Sequence, residues 1–212
     1  MTALITLSHG SRHPRAKEGI RALTEAAAAE LGVEWADAHL EFDSPTLAEA
    51  AAAVSSSRAI VVPLLFTRAF HAKVDVPHHF AEAREHCDLV LAEPIGTGPD
   101  VAEVLAKRLL ADDPTASHAT LFPVGTSNPE QAANYHRLAA DVAQRAGVEV
   151  DVVPATGKGE RRFADTHVLP LFVTHGTLLD RIPAHLPASG PLLTDLAGVV
   201  ANRYRAAVEK GA

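Results

Sequence analysis

The sequence predicts an α/β protein of two similar lobes, each a parallel sheet flanked by helices. Three observations carry that expectation. Short apolar runs alternate with stretches of helical periodicity, the pattern of parallel strands joined by helical crossovers. The second half repeats the first: Gly10 and Pro14 return as Gly125 and Pro129, and Gly32-Val33-Glu34 as Gly147-Val148-Glu149, each 115 residues on. A repeat that long points to a duplicated unit, not to a solenoid. Finally, Leu4 to Pro14 starts as an apolar strand and breaks into Gly10 and small polar residues. Open α/β sheets place their ligands at such breaks, outside the carboxyl ends of the strands.

The elements follow in order. After Pro14, Ile20, Leu23, Ala27 and Leu31 recur at helical spacing while Arg15, Lys17, Glu18, Arg21 and Glu25 face outward, and Gly32 supplies the stop. Val33 to Phe42 reads as a second strand. Ser44-Pro45 opens a second helix, with Ser44 as N-cap and Pro45 in the first helical position. Ala59 to Phe66 is the clearest strand, and Pro63 within it predicts an irregularity or an end nearby. Thr67 to Pro77 is a polar connection into a helix, with Asp75 as its N-cap. Leu89 to Ala92 forms a fourth strand, and a helix runs from Asp100 to about Leu110. Ala111 to Ser117 has the composition of a linker. It sets the expected lobes at 1–112, carrying the site, and 113–212, a degenerate copy. Within that copy, Pro63-Leu64-Leu65-Phe66 is echoed near Pro170-Leu171-Phe172, and Val76-Pro77 at Ile182-Pro183, 106 residues on. The nine-residue drop falls between the second and third strands and predicts a shortened helix there.

Composition narrows the function. At 212 residues and 47% apolar, the chain can bury a sizeable core. Its net charge of -7 argues against general attraction to nucleic acid or to anionic membranes, so an anionic ligand needs a local basic patch. A single cysteine, Cys87, allows no internal disulfide and suits a reducing compartment. With no signal-peptide pattern at the start and no membrane-span run, the expected location is the cytoplasm.

The two copies differ where chemistry is expected. At the repeat offsets His9 falls on Val124, Glu41 on Thr156 and His71 on Thr177. A polar residue that one copy keeps and the other lacks is not needed to hold the lobe together. His9, Glu41 and His71 also follow separate strands, 32 and then 30 residues apart, which brings them to one edge of a parallel sheet. Two imidazoles and a carboxylate suit divalent first-row metals held with open coordination positions. Cys87, expected within the helix after the His71 loop, supplies no thiolate. His13, His78, His79, His86, His118, His136 and His167 read as surface or structural residues. His175, two residues from the His71 counterpart, reads as a loop residue. Gly157-Lys158-Gly159 lacks the spacing of a phosphate loop.

His9-Gly10-Ser11 after an N-terminal strand, Glu41 one unit later, and Pro63-Leu64-Leu65-Phe66 followed by His71-x-x-x-Asp75-Val76-Pro77 resemble the class II chelatases of the CbiX/SirB type. These are sirohydrochlorin cobaltochelatases and ferrochelatases, lyases of cobalamin and sirohaem biosynthesis. The resemblance implies insertion of Co²⁺ or Fe²⁺ into sirohydrochlorin, with the metal as substrate and no permanently bound cofactor. His9 and His71 would hold the metal, and either could accept the protons leaving the pyrrole nitrogens. Glu41 would deliver metal or shuttle protons. Ser11, Arg12, Arg68 and Lys73 would meet the substrate's carboxylates, with Lys158, Arg161 and Arg162 as second-lobe candidates. No nucleic acid or membrane partner is expected, and the chain is expected to be a monomer, a dimer being the alternative. Two other readings stand beside this one. The same site without turnover would make a metal or tetrapyrrole carrier. A strand ending in His-Gly also begins the histidine phosphatases, but those place an arginine before the histidine, where this chain has Ser8.

Overall fold

The computed structural model describes residues 2–67, 76–156, 163 and 165–211, with backbone alone for 76–79. It divides into two compact units, residues 1–96 with 193–212, and residues 97–192.

The first unit is built on four parallel strands, β1 (Thr2–Ser8), β2 (Trp35–His39), β3 (Arg58–Pro63) and β4 (Asp88–Leu91), in the order β2-β1-β3-β4. The connecting helices are α1 (Ala16–Leu31), α2 (Leu47–Ala53) and α3 (Val76–Ala83). β1 is buried on both faces, as a central parallel strand should be. Ala3, Ile5 and Leu7 face the core formed with Leu47, Ala50 and Ala51 of α2 and with Phe80 and Ala83 of α3. α1 follows the expected periodicity, burying Ile20, Leu23 and Ala27 and ending at Gly32, whose φ is 66°. β3 ends at Pro63, which lacks the N–H that a further ladder bond would need.

The second unit holds α4 (Pro99–Asp112), β5 (His118–Pro123), α5 (Pro129–Ala146), β6 (Glu149–Val152) and β7 (His167–Leu171), with parallel strands ordered β6-β5-β7. The duplication is written into the backbone. Gly10 and Gly125 have φ values of 90° and 97°, and Gly32 and Gly147 values of 66° and 72°. β1 pairs Leu7 with Pro63, and β5 pairs Phe122 with Pro170, so the third strands match 107 residues apart. One residue is therefore lost before Ile182-Pro183. The fourth strand has shrunk to a single bridge between Val168 and Ala188.

Several expectations need correction. The lobe boundary at 112/113 differs from that of the compact units. α4 packs against α5 and belongs to the second unit, whereas the closing helix α6 (Ala197–Lys210) packs on α1 and β3 of the first. Tyr204 Oη donates to the Thr2 carbonyl at 2.7 Å, and Arg203 donates to the carbonyls of Pro94 and Ile95, fastening α6 there. The second strand stops at His39, not Phe42. The cap of α2 is Thr46, not Ser44: its hydroxyl accepts from Glu49 N–H while the Glu49 carboxylate accepts from Thr46 N–H. That reciprocal pair satisfies two orphan donors at once, and the Ser44–Pro45 peptide before it is cis. The shortened helix expected between β6 and β7 falls on a stretch that lies largely outside the described residues. Cys87 lies past the end of α3, in the turn before β4, and is buried with its thiol 3.3 Å from the Ser56 carbonyl. Asp75 lies outside the described residues. Among the described residues no helix is long and apolar enough to cross a membrane.

Candidate functional site

The site lies where β1 and β2 run out. Both strands are parallel, with Ser8 opposite His39, so the residues that follow emerge at the same carboxyl edge. Leu40 N–H donates to the Ser8 carbonyl and Glu41 N–H to the His9 carbonyl, each at 3.0 Å. The ladder therefore continues past the strands and sets His9 and Glu41 side by side, both exposed. Gly10 is why the two segments can approach so closely. A Cβ there would stand 1.7 Å from the Glu41 carbonyl oxygen, and the φ of 90° independently favours glycine.

Beyond Glu41 the chain turns back. Asp43 N–H donates to the Glu41 carbonyl at 2.8 Å across Phe42, whose φ is 66°. The Asp43 carboxylate then accepts from Ser11 N–H at 3.2 Å, tying this turn to the loop after His9. Ser11 Oγ in turn accepts from His13 N–H at 3.1 Å. The Phe42 ring meets His9 edge-on, with centroids 6.2 Å apart, and carries the Arg12 guanidinium 4.8 Å over its centroid. The structure thus gathers His9, Ser11, Arg12 and Glu41 at one edge. His71, Arg68 and Lys73 lie outside the described residues, as do Lys158, Arg161 and Arg162. Among the described residues no three His, Cys, Asp or Glu side chains converge as a metal site.

The sequence model of the CbiX family matches residues 3–111, half of the chain. The chain belongs to the CbiX family. A sirohydrochlorin cobaltochelatase of Saccharolobus islandicus is 30% identical over 122 residues, covering 51% of this chain and 94% of that protein. One from Sulfurisphaera tokodaii is 38% identical over 73 residues, 33% of this chain, and the match spans only 60% of that relative's length. Among solved structures, SirB from Bacillus subtilis with Fe³⁺ superposes with a TM-score of 0.78 at 22% identity, covering 100% of this chain and 98% of that one. At that identity the likeness is one of fold. It extends over both halves.

Beneath its exposed edge this CbiX-family chain holds a polar stripe that sequence reading passed over. Ser8 Oγ lies 2.7 Å from His39 Nδ1, and His39 Nε2 stands 3.3 Å from an Asp37 carboxylate oxygen, all three residues buried. The second contact is close but not aligned as a hydrogen bond. Thr6 and Thr24 pair their hydroxyls at 2.5 Å farther along the same face. Burial raises the Asp37 carboxyl, but His39 and then Arg21 outweigh it and hold the group below the ordinary aspartate range. The comparison that singled out His9 would have found this stripe. Thr6, Ser8, Thr24, Asp37 and His39 fall, 115 residues on, on Leu121, Pro123, Ala139, Val152 and Pro154. Every polar member becomes apolar in the copy. A buried polar network costs desolvation, and the second lobe shows that the architecture stands without it.

Proposed function

We propose that this chain inserts a divalent metal, Co²⁺ or Fe²⁺, into sirohydrochlorin. The observation that carries the reading is the paired edge of His9 and Glu41 in the first lobe of a CbiX-family chain, with Val124 and Thr156 at the matching edge of the second. The chemistry asks little of the protein beyond placement. Two N–H protons leave the macrocycle as one M²⁺ enters, so the site must offer the ion a weak hold and the protons an acceptor. His9 serves both needs, since an imidazole nitrogen can ligate a first-row metal or accept a proton. Its exposure keeps exchange with solvent open. Glu41, whose backbone is bonded to that of His9, offers a carboxylate oxygen, and His71 supplies a third donor. Metal and protons pass through here, and three donors that leave coordination positions open fit a substrate ion better than a resident one.

Arg12 meets the carboxylates of the macrocycle, and Ser11, Arg68 and Lys73 assist. The phosphatase alternative gains nothing from the geometry: the residue before His9, where those enzymes place an arginine, is a buried serine bonded to His39. A working location in the cytoplasm, action as a monomer, and independence of membranes and nucleic acid complete the proposal. The test is absorbance of sirohydrochlorin with substoichiometric protein and added Co²⁺. Repeated turnover supports the chelatase. A change that stops at one equivalent of protein supports a carrier and refutes it.

A further inference from the structure

Resting on that reading, a role for Phe42 follows from its backbone. Its side chain is 54% exposed, which alone would mean little. Its φ of 66° is another matter. L residues resist that region, bulky ones above all, and the Glu41–Asp43 hydrogen bond across it closes the strained form of three-residue turn. The matching residue of the second copy is Gly157, the type such a backbone favours. The first lobe therefore keeps an exposed aromatic ring on strained backbone where its duplicate has glycine. Neither the strain nor the exposure helps folding, and strain of this kind collects at functional sites.

The surroundings indicate the ligand. The ring lies edge-on to His9 with Arg12 over its face. A flat apolar surface backed by a cation, beside the imidazole that meets the metal, suits a flat conjugated macrocycle bearing carboxylates. The ring stacks on the π-system, and the guanidinium faces the carboxylate arms. We propose that Phe42 is the platform that seats the tetrapyrrole against His9, with Arg12 positioned through it toward the macrocycle's carboxylates. The strained turn is what lifts the ring out of the sheet edge to do so.

The test separates binding from folding. Phe42→Gly relieves the strain, so its thermal midpoint should equal or exceed the parent's. Its affinity for metal-free sirohydrochlorin, titrated by macrocycle absorbance, should fall about tenfold or more, the scale of losing one aromatic stack. Phe42→Trp should bind within a fewfold of the parent, whereas Phe42→Leu, which keeps bulk but no π-face, should weaken as the glycine variant does. Parental affinity in Phe42→Gly or Phe42→Leu overturns the platform, as does a Phe42→Trp variant as weak as the glycine one. A parental protein that takes up no sirohydrochlorin overturns the chelatase reading itself. One that binds it, alongside a Phe42→Gly variant that binds equally well, overturns the role of Phe42 alone.

Discussion

Replacing Gly10 with alanine puts a methyl group where Glu41 already stands. Two costs add. The φ of 90° is disfavoured for any L side chain, at about 1–2 kcal/mol. The new Cβ would also lie 1.7 Å from the Glu41 carbonyl oxygen and 2.8 Å from its carbon, where ordinary contact begins at 3.4 Å. The Glu41 segment must then retreat by roughly 1.7 Å to reach ordinary contact. That breaks the 3.0 Å bond from Glu41 N–H to His9 and forfeits about another 1 kcal/mol, with backbone strain in addition. Gly32→Ala is the internal control, because it sits in the same unit at φ 66° with nothing within 4 Å of its Cβ. Urea unfolding should show a loss of about 1 kcal/mol for Gly32→Ala and about 3 kcal/mol or more for Gly10→Ala. The rate of cobalt insertion should drop only in the Gly10 variant, whose displaced edge carries His9 and Glu41. Equal losses of stability in the two variants would refute the close approach on which the site's construction rests.

Other predictions concern the residues around that edge. Ser8→Ala leaves a buried imidazole nitrogen of His39 without its partner and should cost about 1–3 kcal/mol by urea unfolding; a loss within error would mean the contact contributes nothing. Because Asp37 is held below its ordinary range, its contribution is complete above that range and disappears as pH falls through the folded value. The stability gap between the parent and Asp37→Asn should therefore narrow from pH 7 to pH 3, and a constant gap would count against the pairing. Thr46→Ala should lose about 1 kcal/mol through the broken capping box, whereas Ser44→Ala should change stability by less than about 0.5 kcal/mol. The reverse order would restore Ser44 as the cap.

Much of the fold could be read because local signals agreed with one another. The 3.6-residue spacing of Ile20, Leu23 and Ala27 and the glycine after Leu31 mark α1 at both ends. Pro63 ends β3 for lack of an N–H, and glycines 115 residues apart adopt matching left-handed backbone. His9 and Glu41 were legible as differences between copies, and the ladder bond between them explains why a spacing of one βα unit put them together. What escaped depends on contacts across the chain. Which sheet a helix covers is decided by its packing partners, so the compact units divide the chain elsewhere than the repeat does. Thr46 was hidden behind a Ser-Pro pair that also reads as a helix start. Asp37, Ser8 and His39 belong to separate strands and look ordinary one at a time; only their cross-strand neighbours make them a network. Phe42 read as the last residue of an apolar strand, and nothing in its identity announces a positive φ.

The most direct measurement is the initial rate of Co²⁺ insertion into sirohydrochlorin, followed by absorbance, for the parent and for a His9→Ala/His71→Ala variant with an unchanged unfolding transition. The account predicts many turnovers by the parent and loss of most of the rate in the variant, with macrocycle binding retained. Insertion by the variant at the parental rate would contradict it.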